Sequence, residues 1–422
     1  MIKKIAVEDL EVGMFVEDFN VPWMDHPFLS NKKKIRSAKE IDLIREHGIR
    51  EVYIDTAKGK DSARAVPVEE ADAEVREEMR RDLEQQPAEP TVQLSKEQAA
   101  FEEEVRRAKV VYTEAKALVK DLLHDARMGK SIDGERAAQT VDKMVDSIFR
   151  NPDAITSLSR LKSFDDYTFQ HSVNVSVLAL ALGRHLGIVK EELRRLGIGA
   201  ILHDVGKMRV PEAILNKPGR LTDEEFAVMK THTLHGAKIL MDTQDVPNES
   251  AAVALNHHER FNGRGYPRGV SGMNIGKFGL ISAIVDVYDA ITSDRVYHKG
   301  MPSHQALQKI YEWSKTDFYP VYVQKFIQCV GIYPIGSVVQ LDTGEVGVVC
   351  RQNRAELIRP WVRVVRDPEG KPLAPPVDVD LSAPDPNGEK PFARTIATTL
   401  GPEEARVDVE RVLGLGEQRQ AA

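Results

Sequence analysis

The spacing of apolar residues changes several times along the chain and divides it into segments. Over residues 1–65, apolar and polar positions mix at short intervals. Glu51-Val-Tyr-Ile-Asp55 alternates as a strand does, while Ile41, Leu43 and Ile44, between Ser37 and His47, form a helical stripe that Gly48 would stop. This predicts a small α+β domain. Residues 66–95 are crowded with acidic side chains from Glu69 to Glu84 and broken by Pro87 and Pro90, which reads as a solvated linker with a helical part. Ala, Glu, Lys and Leu dominate 96–150, predicting connecting helices divided at Gly129 and Gly134. From 151 to 335 the helical period is almost unbroken. Val173, Val175, Val177, Leu178 and Leu182 share one helix, preceded by His171. Leu196, Ile198, Ile201 and Leu202 share the next, and Ile281 to Ile291 forms another. Thr222-Asp-Glu-Glu225 has the pattern of a capping box. Beyond 336 the period shortens to that of strands. Val338–Leu341 and Val346–Cys350 flank Asp342-Thr-Gly-Glu345 as a hairpin, Leu357 to Val365 adds a strand, and 366–392 reads as loop. The expectation is a multi-domain chain: an all-α central domain, a small α+β domain before it and a β-rich extension over 336–422.

Composition narrows the classes. Of 422 residues, 42% are hydrophobic, enough for a large core, and the net charge of −7 gives no general pull toward nucleic acid polymers or anionic membranes. A local basic site for a small anion stays open. The two cysteines, Cys329 and Cys350, do not share a CxxC spacing, so a reducing compartment is expected and any metal would be held by nitrogen and oxygen. The N-terminus lacks a secretory apolar core, and the most apolar run, Val173 to Leu182, is too short to span a bilayer. A cytoplasmic protein without membrane insertion is expected.

The chemistry-bearing residues concentrate in the helical block, which holds seven of the twelve histidines between 171 and 258. His203-Asp204 ends an apolar helix. Taken alone the pair equally suits a histidine complementing the helix dipole beside an aspartate cap. His257-His258 is harder to explain structurally, because two imidazolium ions would repel, whereas one imidazole for each of two ions accounts for the pair. His232, on the helix begun at Thr222, has His235 as its i+3 neighbour, so both could face one way. His185, beside Arg184, reads as solvated. Asp286 sits in an otherwise apolar helix, where a carboxylate is costly unless paired or bound to metal. Together His171, His203, Asp204, His232, His257, His258 and Asp286 exceed what one four-coordinate ion needs. They suit two ions such as iron or manganese, which can hold a hydroxide and clamp a phosphate for in-line attack.

The series resembles the HD-GYP family of the HD phosphohydrolase superfamily. His203-Asp204 matches the HD pair and Gly206-Lys207 completes its HDxGK run. His232 and Gly236 match HxxxG. His257-His258-Glu259-Arg260 with Gly263-Arg-Gly-Tyr-Pro267 matches HHExxxGxGYP, and Asp286-Val-Tyr-Asp-Ala290 with Asp294-Arg-Val-Tyr297 matches DxxDAxxxxRxY. His171 matches the histidine that opens the series. The resemblance implies an all-α HD-type catalytic domain that hydrolyses cyclic di-GMP to pGpG or GMP. It makes Asp204 and Lys207 catalytic, with Lys207 stabilising phosphate charge or protonating a leaving oxygen. Arg295 would contact a substrate phosphate, and Gly265, Tyr266 and Pro267 would form a loop beside the pocket. The first 60 or so residues resemble a small domain of unknown function found before HD-GYP domains, here expected to regulate.

Some positions depart from the pattern. Tyr167 stands where some members carry a glutamate for a third metal, which argues for two ions. His298 replaces the lysine or arginine that often follows RxY, with Lys299 next, and Asn262 replaces a frequent aspartate. Three readings remain open: a cyclic di-GMP phosphodiesterase, a hydrolase of another cyclic dinucleotide such as cyclic GMP-AMP, and a scaffold that binds cyclic dinucleotide without turnover. Protein partners such as diguanylate cyclase domains, and a homodimer paired through the helices between 95 and 150, are further expectations.

Overall fold

The structure is a computed structural model and describes residues 1–21, 26, 28, 30–85, 101–159, 167–294, 300–388 and 390–415. It divides into two units, residues 1–87 with 308–313, and 88–307 with 314–422.

In the first unit, short extended segments build a five-stranded antiparallel sheet. Its strands are β1 (Ile2–Ala6), β2 (Phe15–Asp18), β3 (Lys33–Lys34), β4 (Glu51–Asp55) and β5 (Val66–Pro67), in the order β3-β2-β4-β1-β5. Ile5, Val16, Val52 and Ile54 from the strands and Ile41 and Ile44 from α1 (Ala38–Glu46) share its core. Gly48, at φ +75°, ends α1 where a side chain would be strained. The stretch expected as an acidic linker with a helical part does carry a helix, and one that packs rather than standing solvated on all sides. Residues Val68–Gln85 form one helix, α2, with Ala71, Val75, Met79 and Leu83 buried at four-residue intervals. The acidic residues occupy its other faces, so the charge density concealed an amphipathic helix. Residues 86–95 lie outside the described ones.

The second unit is mainly helical. Its helices before the C-terminal strands are α3 (Phe101–Arg127), α4 (Gly134–Arg150), α5 (Pro152–Leu158), α6 (Tyr167–His185), α7 (Lys190–Ile201), α8 (Glu212–Leu215), α9 (Asp223–Lys230), α10 (His232–Met241), α11 (Asn248–Asn256), α12 (Lys277–Thr292), α13 (Ser303–Trp313, its last six residues belonging to the first unit) and α14 (Pro320–Val330). α6 is buried on every side from His171 to Gly183, its apolar residues interrupted by His171, Ser172, Asn174 and Ser176, and packs against α3, α7 and α12. His171 lies inside this helix rather than before it. The capping box at α9 forms: Thr222 Oγ1 accepts from Glu225 N at 3.3 Å, and Glu225 Oε2 accepts from Thr222 N at 2.7 Å. α9 stops at Lys230, so His232 opens a new helix and is not carried on the one begun at Thr222.

The C-terminal strands β6 (Val338–Leu341), β7 (Val346–Arg351), β8 (Trp361–Arg366), β9 (Pro372–Asp380) and β10 (Ile396–Leu400) form an antiparallel sheet in the order β10-β6-β7-β8-β9. Val339, Leu341, Val349, Val362, Val364 and Leu381 make its core. β9 lies where loop was expected. As an edge strand it can use prolines, whose missing N–H groups are tolerated there. No described helix is long and apolar enough to cross a membrane.

Candidate metal centre

Five elements bring the ligand-type residues together. α6 carries His171, the turn after α7 carries His203 and Asp204, and α10 opens with His232. The end of α11 supplies His257 and His258, and α12 supplies Asp286 and Asp289. The close approach of the His203-Asp204 turn to α10 requires Gly206. A Cβ there would sit 1.9 Å from the His232 carbonyl oxygen and 2.4 Å from Gly236 N.

Asp204 lies at the centre. Its Oδ2 is 3.3 Å from His203 Nε2 and 3.9 Å from His171 Nε2, and accepts from Lys207 Nζ at 2.6 Å. Its Oδ1 is 3.5 Å from His232 Nε2 and 3.8 Å from His257 Nε2. Asp286 spans the same gap, with Oδ1 3.1 Å from His171 Nε2 and 3.7 Å from His203 Nε2, and Oδ2 3.8 Å from His258 Nδ1. All seven expected ligand residues therefore converge. Three groupings have ligand atoms within 4.8 Å of one another: His171, His203 and Asp286; His232, His257 and His258; and His203, Asp204 and His257.

The tautomers follow from the outer partners. His203 Nδ1 faces the Ala200 carbonyl at 2.8 Å, His232 Nδ1 that of Met229 at 2.7 Å, and His257 Nδ1 those of Val253 and Ala254 at 3.1 and 3.0 Å. A carbonyl only accepts, so each Nδ1 donates, and a neutral ring held this way turns the Nε2 lone pair to the interior. His232 Nε2 and His257 Nε2 then face each other at 3.3 Å, two acceptors with no proton between them. His203 Nε2 and Asp204 Oδ1 are buried without a hydrogen-bond partner among the described residues. Lone pairs converging on a buried carboxylate are the arrangement a divalent cation satisfies, so the donor set fits a metal.

The electrostatics agree. Burial lowers His232 to about 4 and His257 to about 3, and holds His258 well below its ordinary value with help from the neighbouring His257. These imidazoles are neutral, as ligation requires. Burial alone would also lower His171, but hydrogen bonds to Asp286 and Asp289 outweigh it and raise the ring to about 9. Burial opposes charge on Asp204 and Asp286. Lys207 for the first, and His171 for the second, keep both carboxyls well below the usual range.

The loop Gly265, Tyr266 and Pro267 lies beside this cluster. Gly265 passes so close to the backbone of Glu259 and Arg260 that a Cβ would come within 2.4 Å of Glu259 Cα. Tyr266 N donates to the His258 carbonyl at 3.2 Å, and the Tyr266 ring packs on His258 with centroids 4.7 Å apart. Pro267 is half-buried. His235 is exposed and His185 lies at the opposite end of α6 from His171, so neither joins the cluster. Arg295, His298 and Lys299 lie outside the described residues. Asp289 was missed as a site residue. Its Oδ2 accepts from His171 Nδ1 at 2.7 Å, a carboxylate backing a ligand-type histidine, and its i+3 spacing from Asp286 was the available signal.

A helical domain whose histidines and aspartates converge on an HD pair defines the class as an HD-domain protein. Residues 144–320 match the HD domain family, 2–137 match a domain of unknown function (DUF3391), and 338–385 match the KOW domain associated with HD domain. The protein named cyclic di-GMP phosphodiesterase PA4108, from Pseudomonas aeruginosa, is 40% identical over 382 residues, which cover 90% of this chain and 89% of that one. The chain belongs to the HD-GYP family. A cyclic di-GMP phosphodiesterase of Thermotoga maritima is 35% identical over 43% of this chain and 50% of its own. A 3'3'-cGAMP-specific phosphodiesterase 1 of Vibrio cholerae is 38% identical over 33% of this chain and 32% of its own.

Proposed function

We propose that the chain is a metal-dependent, cytoplasmic phosphodiesterase that hydrolyses cyclic di-GMP to pGpG or GMP, with two divalent ions held by His171, His203, Asp204, His232, His257, His258 and Asp286. The observation that carries this reading is the Asp204 carboxylate, whose Oδ2 faces His203 Nε2 and His171 Nε2 and whose Oδ1 faces His232 Nε2 and His257 Nε2. One oxygen directed to each side is what a bridging ligand provides. The all-nitrogen-and-oxygen donor set suits iron or manganese. When bound, such ions lower the pKa of water and neutralise charge on a phosphodiester.

The protein's own groups do the rest. Lys207 is partly exposed, unlike the buried carboxylate it holds ionised, so its remaining N–H groups are free to donate to a phosphate oxygen and to protonate the leaving oxygen at Nζ. Tyr266, packed on His258, offers a ring face for a nucleobase at the edge of the centre, on a loop shaped by Gly265 and Pro267. Arg295 is assigned to a second phosphate contact by the resemblance alone. The buried walls from α6, α7 and α12 exclude water from the inner face.

The test is chromatography of products after incubating protein of measured iron and manganese content with cyclic di-GMP and, separately, 3'3'-cGAMP. The expected result is pGpG or GMP from cyclic di-GMP at the higher rate. Asp204→Ala should lose bound metal and turnover together, and parent-rate cleavage by that variant would contradict the site assignment.

A further inference from the structure

The HD domain match begins at residue 144, yet a hydrogen-bonded path runs from the centre to a residue before it. Asp289 Oδ2 accepts from His171 Nδ1 at 2.7 Å, and Asp289 Oδ1 accepts from Asn174 Nδ2 at 2.9 Å. Asn174 lies three residues after His171 on α6, on the same face. Because Asp289 only accepts, the Asn174 amide must present its Nδ2 there, which turns its Oδ1 toward α3. That oxygen can only accept, and the Tyr112 hydroxyl of α3 is the donor that reaches it. Each orientation along the path dictates the next.

We propose that Tyr112, acting through Asn174 and Asp289, is a positioning residue for His171, so that a helix preceding the HD domain match completes one side of the metal centre. The inference rests on the metal-site reading above.

Tyr112, Asn174, Asp289 and His171 are 8%, 1%, 1% and 6% exposed. Water cannot replace a lost partner at such positions, and the network holds or fails as a unit. Packing alone would be served by phenylalanine at position 112. A buried hydroxyl is unfavourable unless bonded. Burial also pushes the Tyr112 phenol up, so it stays a donor at every working pH. Without that donor the Asn174 oxygen is left buried and unpaired, so the amide that donates to Asp289 is no longer fixed in place. Asp289 would then release the His171 ring, whose Nε2 aims at Asp286 Oδ1 from 3.1 Å. The far side of the centre, at His232, His257 and His258, receives its outer support from backbone carbonyls for the first two rings and from the Tyr266 packing for the third. It does not depend on Tyr112.

The experiment uses the full chain, stripped of metal, and titrates Mn²⁺ against a chromophoric chelator for the parent, Tyr112→Phe, Asn174→Ala and the double variant. The expected result is an about tenfold weaker affinity for one of two ions in each variant, the other ion unchanged. The double variant should be no worse than Asn174→Ala, because both substitutions cut the same path. A purely structural role would lower the unfolding midpoint of the metal-free chain while leaving both affinities at parent values. Parent affinity for both ions in Tyr112→Phe and Asn174→Ala would overturn the relay alone. A parent chain that binds no Mn²⁺ would overturn the functional reading and the relay with it.

Discussion

Charge at single residues explains most of the centre. Without metal, His171 lies between the carboxylates of Asp286 and Asp289, and its ring, raised from 6.5 to about 9, carries a proton at neutral pH. That proton occupies part of the space a cation would take. Ligation needs a bare Nε2, so uptake of metal at pH 7.5 should expel about one proton, and apparent affinity should climb with pH until about 9. His232 and His257, at about 4 and 3, are already neutral and release none. Calorimetric titration of Mn²⁺ in buffers of different ionisation enthalpy measures the proton count, and a count of zero would contradict this account. The sign for the fold follows from the same shift. A raised folded value steadies the metal-free chain fully below about pH 6.5, and this contribution fades as pH rises through about 9. The residue types in the cluster were legible because an adjacent His-His pair has little structural purpose and a carboxylate in an apolar helix is costly unless paired or bound to metal. Asn174 was not, since it gains meaning only from the side chains it faces.

At the scale of elements, the decisive contacts are made by helix ends. The His203-Asp204 turn and the start of α10 touch across Gly206, where nothing larger fits. Gly206→Ala should push α10 and His232 outward, destabilise the chain by roughly 1–3 kcal/mol and reduce bound metal. Denaturant unfolding and metal analysis of the same preparation test both parts, and unchanged metal content would show that α10 can yield without moving His232. The capping box fixed the start of α9 in the sequence, because its two hydrogen bonds are local. The break between Lys230 and His232 was not visible there, since apolar spacing continues across it. α2 and β9 were obscured for a common reason. Acidic residues and prolines describe the solvent side of an element, and neither reveals what its other side packs against.

For the whole molecule, the metal centre joins α6, α7, α10, α11 and α12, so its occupancy should be felt in global stability. Chelation removes a ligand that binds only the folded chain. At a concentration about a hundredfold above the dissociation constant, that ligand contributes about 2.7 kcal/mol. The unfolding midpoint of the stripped protein should therefore fall by about 5 °C and recover on adding Mn²⁺. A midpoint indifferent to chelator would mean that the cluster does not hold metal in the native fold. The sequence by itself determined the helical core, the strands of Glu51–Asp55 and of the hairpin at 338–351, and the identity of the seven ligand-type residues, because periodicity, turn chemistry and the cost of burying charge act over a few neighbours. Only the tertiary structure decided that these seven side chains converge, which ring nitrogen each exposes, and that Tyr112 reaches the same centre. Those facts depend on groups from different helices meeting at hydrogen-bond distance, which no spacing along one chain encodes.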